Sequence, residues 1–149
     1  MTPLKLAHSA WVFEGDGQKA LFLINEGDEK FPNLRRLSVE EHKDPPSHEQ
    51  GSDAPGRAFS SANGIRSAVE ETDWHELEKE RFAISIAAKI NKAAQSGAFN
   101  QIVIVAPPKI LGDLRRAFSM ETESKIVAEM DKDLTHHTIA EIEGLLTAR

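Results

Sequence analysis

The chain has 149 residues, no cysteine, and 18 basic against 24 acidic residues, for a formal net charge of -6. The absence of cysteine excludes disulfides, thiolate metal sites and a cysteine nucleophile. The acidic balance argues against wrapping of nucleic acid over a broad basic face. The length predicts one domain over residues 1–149.

Residues 1–10 do not have the pattern of an export signal. Lys5 and His8 interrupt any apolar core of the roughly 7 to 15 residues that a signal peptide needs. No stretch approaches the roughly 18 consecutive apolar residues of a membrane span. We therefore expect a cytoplasmic protein that makes no membrane contact.

The chain begins with short apolar runs that predict three antiparallel strands, at Trp11 to Phe13, Ala20 to Ile24 and Leu34 to Glu40. The Asp16-Gly17 step between the first two runs is typical of a hairpin turn. In the third run Leu37 and Val39 alternate with polar residues, so we expect both to face the core.

Residues 43–64 have a different composition. Ten of these 22 residues are Pro, Gly or Ser, which disfavours both helix and strand. Long loops without secondary structure tend to be functional or disordered. We therefore expect this loop to carry the activity.

A long helix is predicted from Asp73 to Ser96. Asp73 and Glu76 have the spacing of a capping box, and Gly97 supplies a left-handed stop. Most apolar residues of the helix form one stripe, at Phe82, Ala83, Ile86, Ala87, Ile90, Ala93 and Ala94. A second apolar sector is expected to contact another element, at Trp74, Leu77, Ile84 and Ala88.

The rest of the chain alternates strands and helices. The predicted elements are a strand from Ile102 to Val105, a helix from Pro108 to Phe118, a strand from Lys125 to Met130 and a helix from Thr138 to Leu146. Thr138 and Glu141 form a capping box for the last helix. This order favours an α/β fold: a mixed β-sheet with antiparallel N-terminal strands, parallel C-terminal strands and flanking helices.

Metal-dependent chemistry has few candidates in this sequence. Asp16, Asp131 and Asp133 lie at predicted strand ends, where carboxylates could hold the two metal ions of a nuclease. Turn formation and strand exit explain the same residues. His136 and His137 are adjacent and so point apart, unlike paired ligands on one helix face. We expect no metal ion and no other cofactor.

Three local motifs are candidates for binding: Asp53 to Arg57, Ala106 to Gly112 and Lys132 to Thr135. Arg57 follows Gly56 and could make forked contacts to phosphate, and Lys109 places a cation at a helix start. Structural roles are the alternative, because Asp53 and Gly56 also suit a turn.

Together these motifs resemble the bacterial host-attachment protein family, described as proteins required for attachment to host cells. The matching segments are Trp11 to Ala20, Asp53 to Arg57, Phe82, Ala106 to Arg115, and Lys132 to Thr135. The resemblance adds Arg115, Lys132 and Asp133 to the candidate binding residues. That family is in turn similar to the middle domain of archaeal and eukaryotic peptide-chain release factors, which has a ribonuclease H-like fold.

In the release factors the corresponding loop carries a Gly-Gly-Gln tripeptide that promotes hydrolysis of peptidyl-tRNA. Here Gln50 is preceded by Glu49, so the Gly-Gly approach is missing. The resemblance therefore implies a non-catalytic binding module whose 43–64 loop contacts RNA, the ribosome or a protein partner. The alternatives are a hydrolase of a translation-related RNA, acting on an ester or phosphodiester, and an indirect role in attachment to host cells.

Overall fold

The computed structural model describes residues 4–41 and 64–147, with side chains for 4–41 and 74–147. The strands are β1 (Trp11–Gly15), β2 (Lys19–Asn25), β3 (Leu34–Glu41), β4 (Ile102–Val105) and β5 (Ile126–Met130). The helices are α1 (Gly64–Ser96), α2 (Pro108–Ala117), α3 (Met120–Lys125) and α4 (Ile139–Thr147). Apart from Gly64, which begins α1, the predicted loop 43–64 lies outside the described residues.

The five strands form one mixed sheet in the order β3-β2-β1-β4-β5. The hairpin strands β1, β2 and β3 pair antiparallel, whereas β4 pairs parallel with both β1 and β5. The predicted α/β fold, with antiparallel strands first and parallel strands later, is confirmed. In such sheets the carboxyl ends of β1 and β4 meet at one edge, where α/β proteins commonly bind ligands.

Both faces of the sheet are covered. The helices α1 and α2 cover one face, where Phe13, Phe22 and Ile104 pack against Ile90 and Leu114. The other face packs against α4 and the N-terminal segment, through residues that include Val12, Leu23, Val105, Leu6, Ile142 and Leu146. Because β4 is buried on both faces, its sequence is uniformly apolar and does not alternate.

The long helix starts nine residues earlier than the sequence predicts, at Gly64 instead of Asp73. The Asp73 capping box is therefore wrong, because Asp73 lies inside the helix. Residues 65–72 contain no Pro or Gly that would stop a helix, and they include good helix formers. The predicted inner stripe is confirmed: Ala83, Ile86, Ala87, Ile90 and Ala94 are buried, and Phe82 and Ala93 pack partly against the same core.

The second apolar sector of α1 does not pack as expected. Leu77 is 43% exposed and Ile84 is 49% exposed, and Ala88 is exposed as well. The contacts of α1 with α2 and α3 include polar side chains. An important one is Asn91, whose side-chain amide donates to the Ala117 carbonyl and whose oxygen accepts from the Ser119 N–H and the Thr122 hydroxyl.

The short helix α3 is absent from the sequence prediction. Ser119 caps it by accepting a hydrogen bond from the Thr122 N–H at 3.2 Å. Its six residues are too few to show a helical period, so the pattern gave no signal. By contrast, the predicted capping box of α4 is confirmed, since Thr138 and Glu141 exchange hydrogen bonds at 2.9 and 3.1 Å.

The expected burial of Leu37 and Val39 is wrong: they are 44% and 36% exposed. Their strand, β3, lies at the edge of the sheet, and α4 reaches only its start, where Glu143 accepts from the Leu34 N–H. The alternation therefore predicts the strand correctly, but it does not show whether another element packs over it. Within residues 4–41 and 64–147, no helix has the length and apolar character needed to cross a membrane.

Candidate functional site

A cavity of about 330 Å³ opens at the edge where β1 and β4 end. We call it the edge cleft. Its polar walls come from the β1–β2 turn, from α1 and α2, and from the segment after β5. The lining side chains that bear on function are Asp16, Gln18, Glu76, Lys79, Lys109 and Asp133.

The β1–β2 turn forms one side of the edge cleft. The Asp16 carboxylate accepts hydrogen bonds from the backbone N–H groups of Gln18 and Lys19, both at 2.9 Å. Gly17 has a φ of +103°, and a Cβ there would lie 2.9 Å from the Ile110 side chain. The predicted hairpin turn is thus confirmed, and Asp16 has the turn-forming role.

On the helical side, Lys109 at the start of α2 pairs with Glu76 of α1. The Lys79 ammonium also lies 3.8 Å from a Glu76 carboxylate oxygen. The hydrogen bond with Lys109 lowers the pKa of Glu76, and the same bond raises the pKa of Lys109. The cation that the sequence proposes for phosphate is therefore shared with an acid of the same chain.

The third side of the edge cleft contains Asp133, just after β5. Its carboxylate accepts hydrogen bonds from the Thr135 N–H at 3.0 Å and from the Thr135 hydroxyl at 2.5 Å. The hydrogen bond from the Thr135 hydroxyl has the largest effect on the pKa of Asp133, which it lowers, and the bond from the Thr135 N–H lowers it as well. Asp133 therefore stays ionised and adds negative charge to the cleft.

Behind Asp16 and Asp133 lies a buried carboxyl group, Glu14. It is 2% exposed, and within the described residues its Oε1 atom has no hydrogen-bond partner. The pKa of Glu14 is raised from 4.5 to about 7, first by burial and then by the charges of Asp133 and Asp16. Lys19 and the Leu134 backbone N–H act in the opposite direction.

The structure brings together only some of the predicted site residues. Lys109 and Asp133 line the same cleft, as does Asp16. Arg115 lies elsewhere: its guanidinium makes two hydrogen bonds to Glu129 of β5, at 2.8 and 3.0 Å. Lys132 is exposed and is not among the residues that line the edge cleft.

The remaining candidates of the first binding motif, Asp53, Gly56 and Arg57, lie outside the described residues. In the part of the chain with described side chains, no three His, Asp or Glu side chains are grouped so that they could hold a metal ion. Asp16 lines the edge cleft, whereas Asp131 lies near Arg115. The pKa of Arg115 is raised first by its hydrogen bond to Glu129, and the charge of Asp131 raises it as well.

Sequence reasoning missed Glu14. The signal was present in the run Trp11–Gly15, where one acid stands inside an apolar strand that turned out to be central in the sheet. An ionisable residue in such a strand is rarely buried without a reason. The apolar run ends at Phe13, and the acid that follows it belongs to the same strand.

The mixed sheet, its two covered faces and the cleft at the ends of β1 and β4 define an open α/β domain with a ligand-sized edge site. Over residues 9–146 the sequence matches bacterial archaeo-eukaryotic release factor family 12, and the chain belongs to that family. The release-factor part of the resemblance is thereby confirmed. The host-attachment part and the ribonuclease H-like assignment stay predictions. No curated protein sequence matches the chain.

Proposed function

We propose that the protein is a non-catalytic binding module of the translation apparatus that contacts the ribosome or its RNA through residues 43–64 and the edge cleft. Membership of a release-factor family supports a translation-related role. The proposal takes residues 1–149 as one domain that acts in the cytoplasm, where ribosomes are accessible.

The observation that carries the proposal is the position of the two attachment points of this segment. β3 ends at Glu41, whose register partner Lys19 directly follows the turn of the edge cleft. The segment returns at Gly64, the start of α1, and the same helix lines the cleft through Lys79. At 1.5 Å per residue, Gly64 lies roughly 22 Å before Lys79 along the helix axis. The chain thus leaves and rejoins the described structure on the cleft side of the sheet.

The charge of the edge cleft limits the kind of contact. Its two cations, Lys79 and Lys109, both pair with Glu76, and Asp16 and Asp133 bring the number of acids to three. A polyanion therefore gains little from the cleft itself. We expect an RNA contact to neutralise about one or two phosphates, and its affinity to fall only shallowly with salt.

The test is co-sedimentation with ribosomes, together with RNA binding at several salt concentrations. We compare the wild type with a variant whose residues 43–63 are replaced by a short Gly-Ser linker, and with Arg57→Ala. Arg35→Ala is the matched control, because this exposed arginine pairs with Glu26, which does not line the cleft. We expect association that is lost in the linker variant, weakened in Arg57→Ala and kept in the control. No association of the wild type, or full association of the linker variant, rejects the proposal.

A second candidate function is a hydrolase of a translation-related RNA, and the buried Glu14 favours it. A carboxyl group whose pKa lies near 7 is suited to general acid–base catalysis. Glu14 is not among the residues that line the edge cleft, so catalysis would require movement of the neighbouring Asp133 and Leu134. Turnover of peptidyl-tRNA or structured RNA that disappears in a folded Glu14→Gln variant would support the hydrolase, and absence of turnover in the wild type rejects it.

A further inference from the structure

The two edge strands of the sheet differ in how they are protected. β3 carries four charged residues, Arg35, Arg36, Glu40 and Glu41, and such charges discourage pairing with another chain. β5 has the sequence Ile-Val-Ala-Glu-Met, with Glu129 as its one charged residue. In the described part of the chain, β5 pairs only with β4, so its outer edge has no neighbouring strand.

A groove runs beside this outer edge of β5, whose register with β4 shifts at Val127. It has a volume of about 470 Å³ and is lined by β5 itself, by Arg115 and Phe118 at the end of α2, and by Glu123 of α3. Phe118 and Ile126 form its apolar floor, since both pack against the core beneath. Val127 is 45% exposed at the strand edge. The groove therefore offers apolar contact next to a strand that lacks an outer neighbour.

The ionisable groups around the groove are mostly acidic: Glu121, Glu123, Glu129 and Asp131 lie on α3, on β5 and just after it. Three cations are nearby, Arg115, Lys125 and the exposed Lys132, and the first two have partners in the same chain. Arg115 donates twice to Glu129, and the Lys125 ammonium donates to the Ala94 carbonyl at 2.7 Å. The groove therefore favours a cationic partner and disfavours RNA.

We propose that the outer edge of β5 binds an extended, cationic segment of a partner protein, which adds a strand to the sheet. Backbone hydrogen bonds along β5 would hold the segment. Alternate side chains would enter the groove over Phe118 and Ile126, and basic side chains would meet Glu123 and Asp131. This surface is separate from the edge cleft, so the proposal does not depend on the proposed function.

A second copy of the chain is a poorer occupant of the same edge. Two-fold pairing of β5 with itself would bring the acids of both copies together, and like charges across strands are destabilising. The outer edge of β5 therefore suits a segment of opposite charge better than its own copy.

The experiment uses the full chain and two labelled heptapeptides, Lys-Val-Lys-Val-Lys-Val-Lys and Glu-Val-Glu-Val-Glu-Val-Glu. Binding is measured by fluorescence anisotropy and mapped by amide chemical shifts. Val127→Lys places a like charge on the edge for the cationic peptide. Val39→Lys is the matched control, because Val39 is 36% exposed on the opposite edge strand.

We expect saturable binding of the cationic peptide, shifts centred on residues 126–130, and a loss of affinity of about tenfold or more in Val127→Lys. Val39→Lys should stay within about twofold of the wild type. The proposal is overturned if the cationic peptide does not bind, if both peptides bind equally, or if the shifts fall on β3. It is overturned as well if the chain forms a dimer that Val127→Lys abolishes, because the occupant is then a second copy.

Discussion

Glu14 of β1 stands directly beside Val105 of β4 in parallel register, so a carboxyl group occupies a central strand pair of a sheet that is otherwise apolar there. The acids whose charges raise its pKa come from two other segments, Asp16 of the turn and Asp133 after β5. This arrangement makes the stability of the fold depend on pH.

The first prediction concerns this dependence. The pKa of Glu14 is about 7 in the folded chain, against 4.5 as its ordinary value. Between these values the folded state holds more protons than the unfolded state, so the free energy of unfolding falls as pH rises from 4.5 to about 7. The total fall from this group is roughly 2 to 3 kcal/mol. In urea denaturation, Glu14→Gln should remove this fall and be more stable than the wild type above neutral pH.

Glu29→Gln is the control for Glu14→Gln, because Glu29 is an exposed acid in the β2–β3 turn. It should leave the pH dependence of stability as in the wild type. If Glu14→Gln and the wild type lose stability in parallel between pH 4.5 and about 7, then Glu14 does not carry the predicted shift.

The second prediction concerns the turn of the edge cleft. In Gly17→Ala the new Cβ would lie 2.9 Å from Ile110 and 3.3 Å from Lys79, at a φ of +103°. We expect a loss of about 1 to 2 kcal/mol, from backbone strain and from displacement of the end of the Ile110 side chain. Gly97→Ala has a positive φ as well but no atom within 4 Å of the new Cβ, so it should cost only about 1 kcal/mol. Equal losses by thermal denaturation would show that packing against Ile110 is unimportant.

Asn91 is the subject of the third prediction. Its side chain makes three hydrogen bonds that join α1 to the α2–α3 junction, with Ala117, Ser119 and Thr122. Asn91→Ala should lower the free energy of unfolding by roughly 3 kcal/mol, at about 1 kcal/mol for each bond. Amide hydrogen exchange should increase first in α3. Asn100→Ala, an exposed control, should change stability by less than about 0.5 kcal/mol, and similar values for both variants would contradict the prediction.

The fourth prediction concerns the pair across the edge cleft. Because the hydrogen bond with Lys109 lowers the pKa of Glu76, Lys109→Ala should move that pKa back toward its ordinary value. A carboxyl NMR titration measures the change directly. Lys92→Ala removes an exposed lysine of α1, the helix that carries Glu76, and should leave the Glu76 titration unchanged. An unaltered Glu76 titration in Lys109→Ala would mean that the ion pair does not form in solution.

The sequence was sufficient for those parts of the fold that local patterns determine. The apolar run at Ile102 to Val105, the Asp16-Gly17 turn and the Thr138 capping box all depend on neighbouring residues, and all three are confirmed. The predicted burial of Leu37 is wrong because burial there depends on whether a distant helix covers the edge of the sheet. The predicted start of α1 is wrong because the residues of a capping motif at Asp73 fit the middle of a helix as well as its beginning.

The candidate site was less predictable than the fold. Lys109 was selected as a cation at a helix start, but its partner Glu76 lies 33 positions earlier, and only the packing of α2 on α1 brings the two together. The sequence pattern did not identify Glu14 for the same reason. The elevation of its pKa comes first from burial in the folded chain and then from the charge of Asp133, which is distant in sequence. Local spacing does not contain this information.

The length of α1 has a thermodynamic consequence. Its 33 residues extend over roughly 50 Å, yet its fully buried side chains are found only from Ala83 onward among those described. From Trp74 to Phe82 the side chains are only partly buried or exposed, and helices in proteins depend mainly on tertiary packing for their stability. These turns are therefore held less firmly than those from Ala83 to Ala94, and they can open while the remainder of the domain stays intact. Binding of a ligand to these turns would cost only the free energy of ordering a few helical turns, because the rest of the domain is already folded.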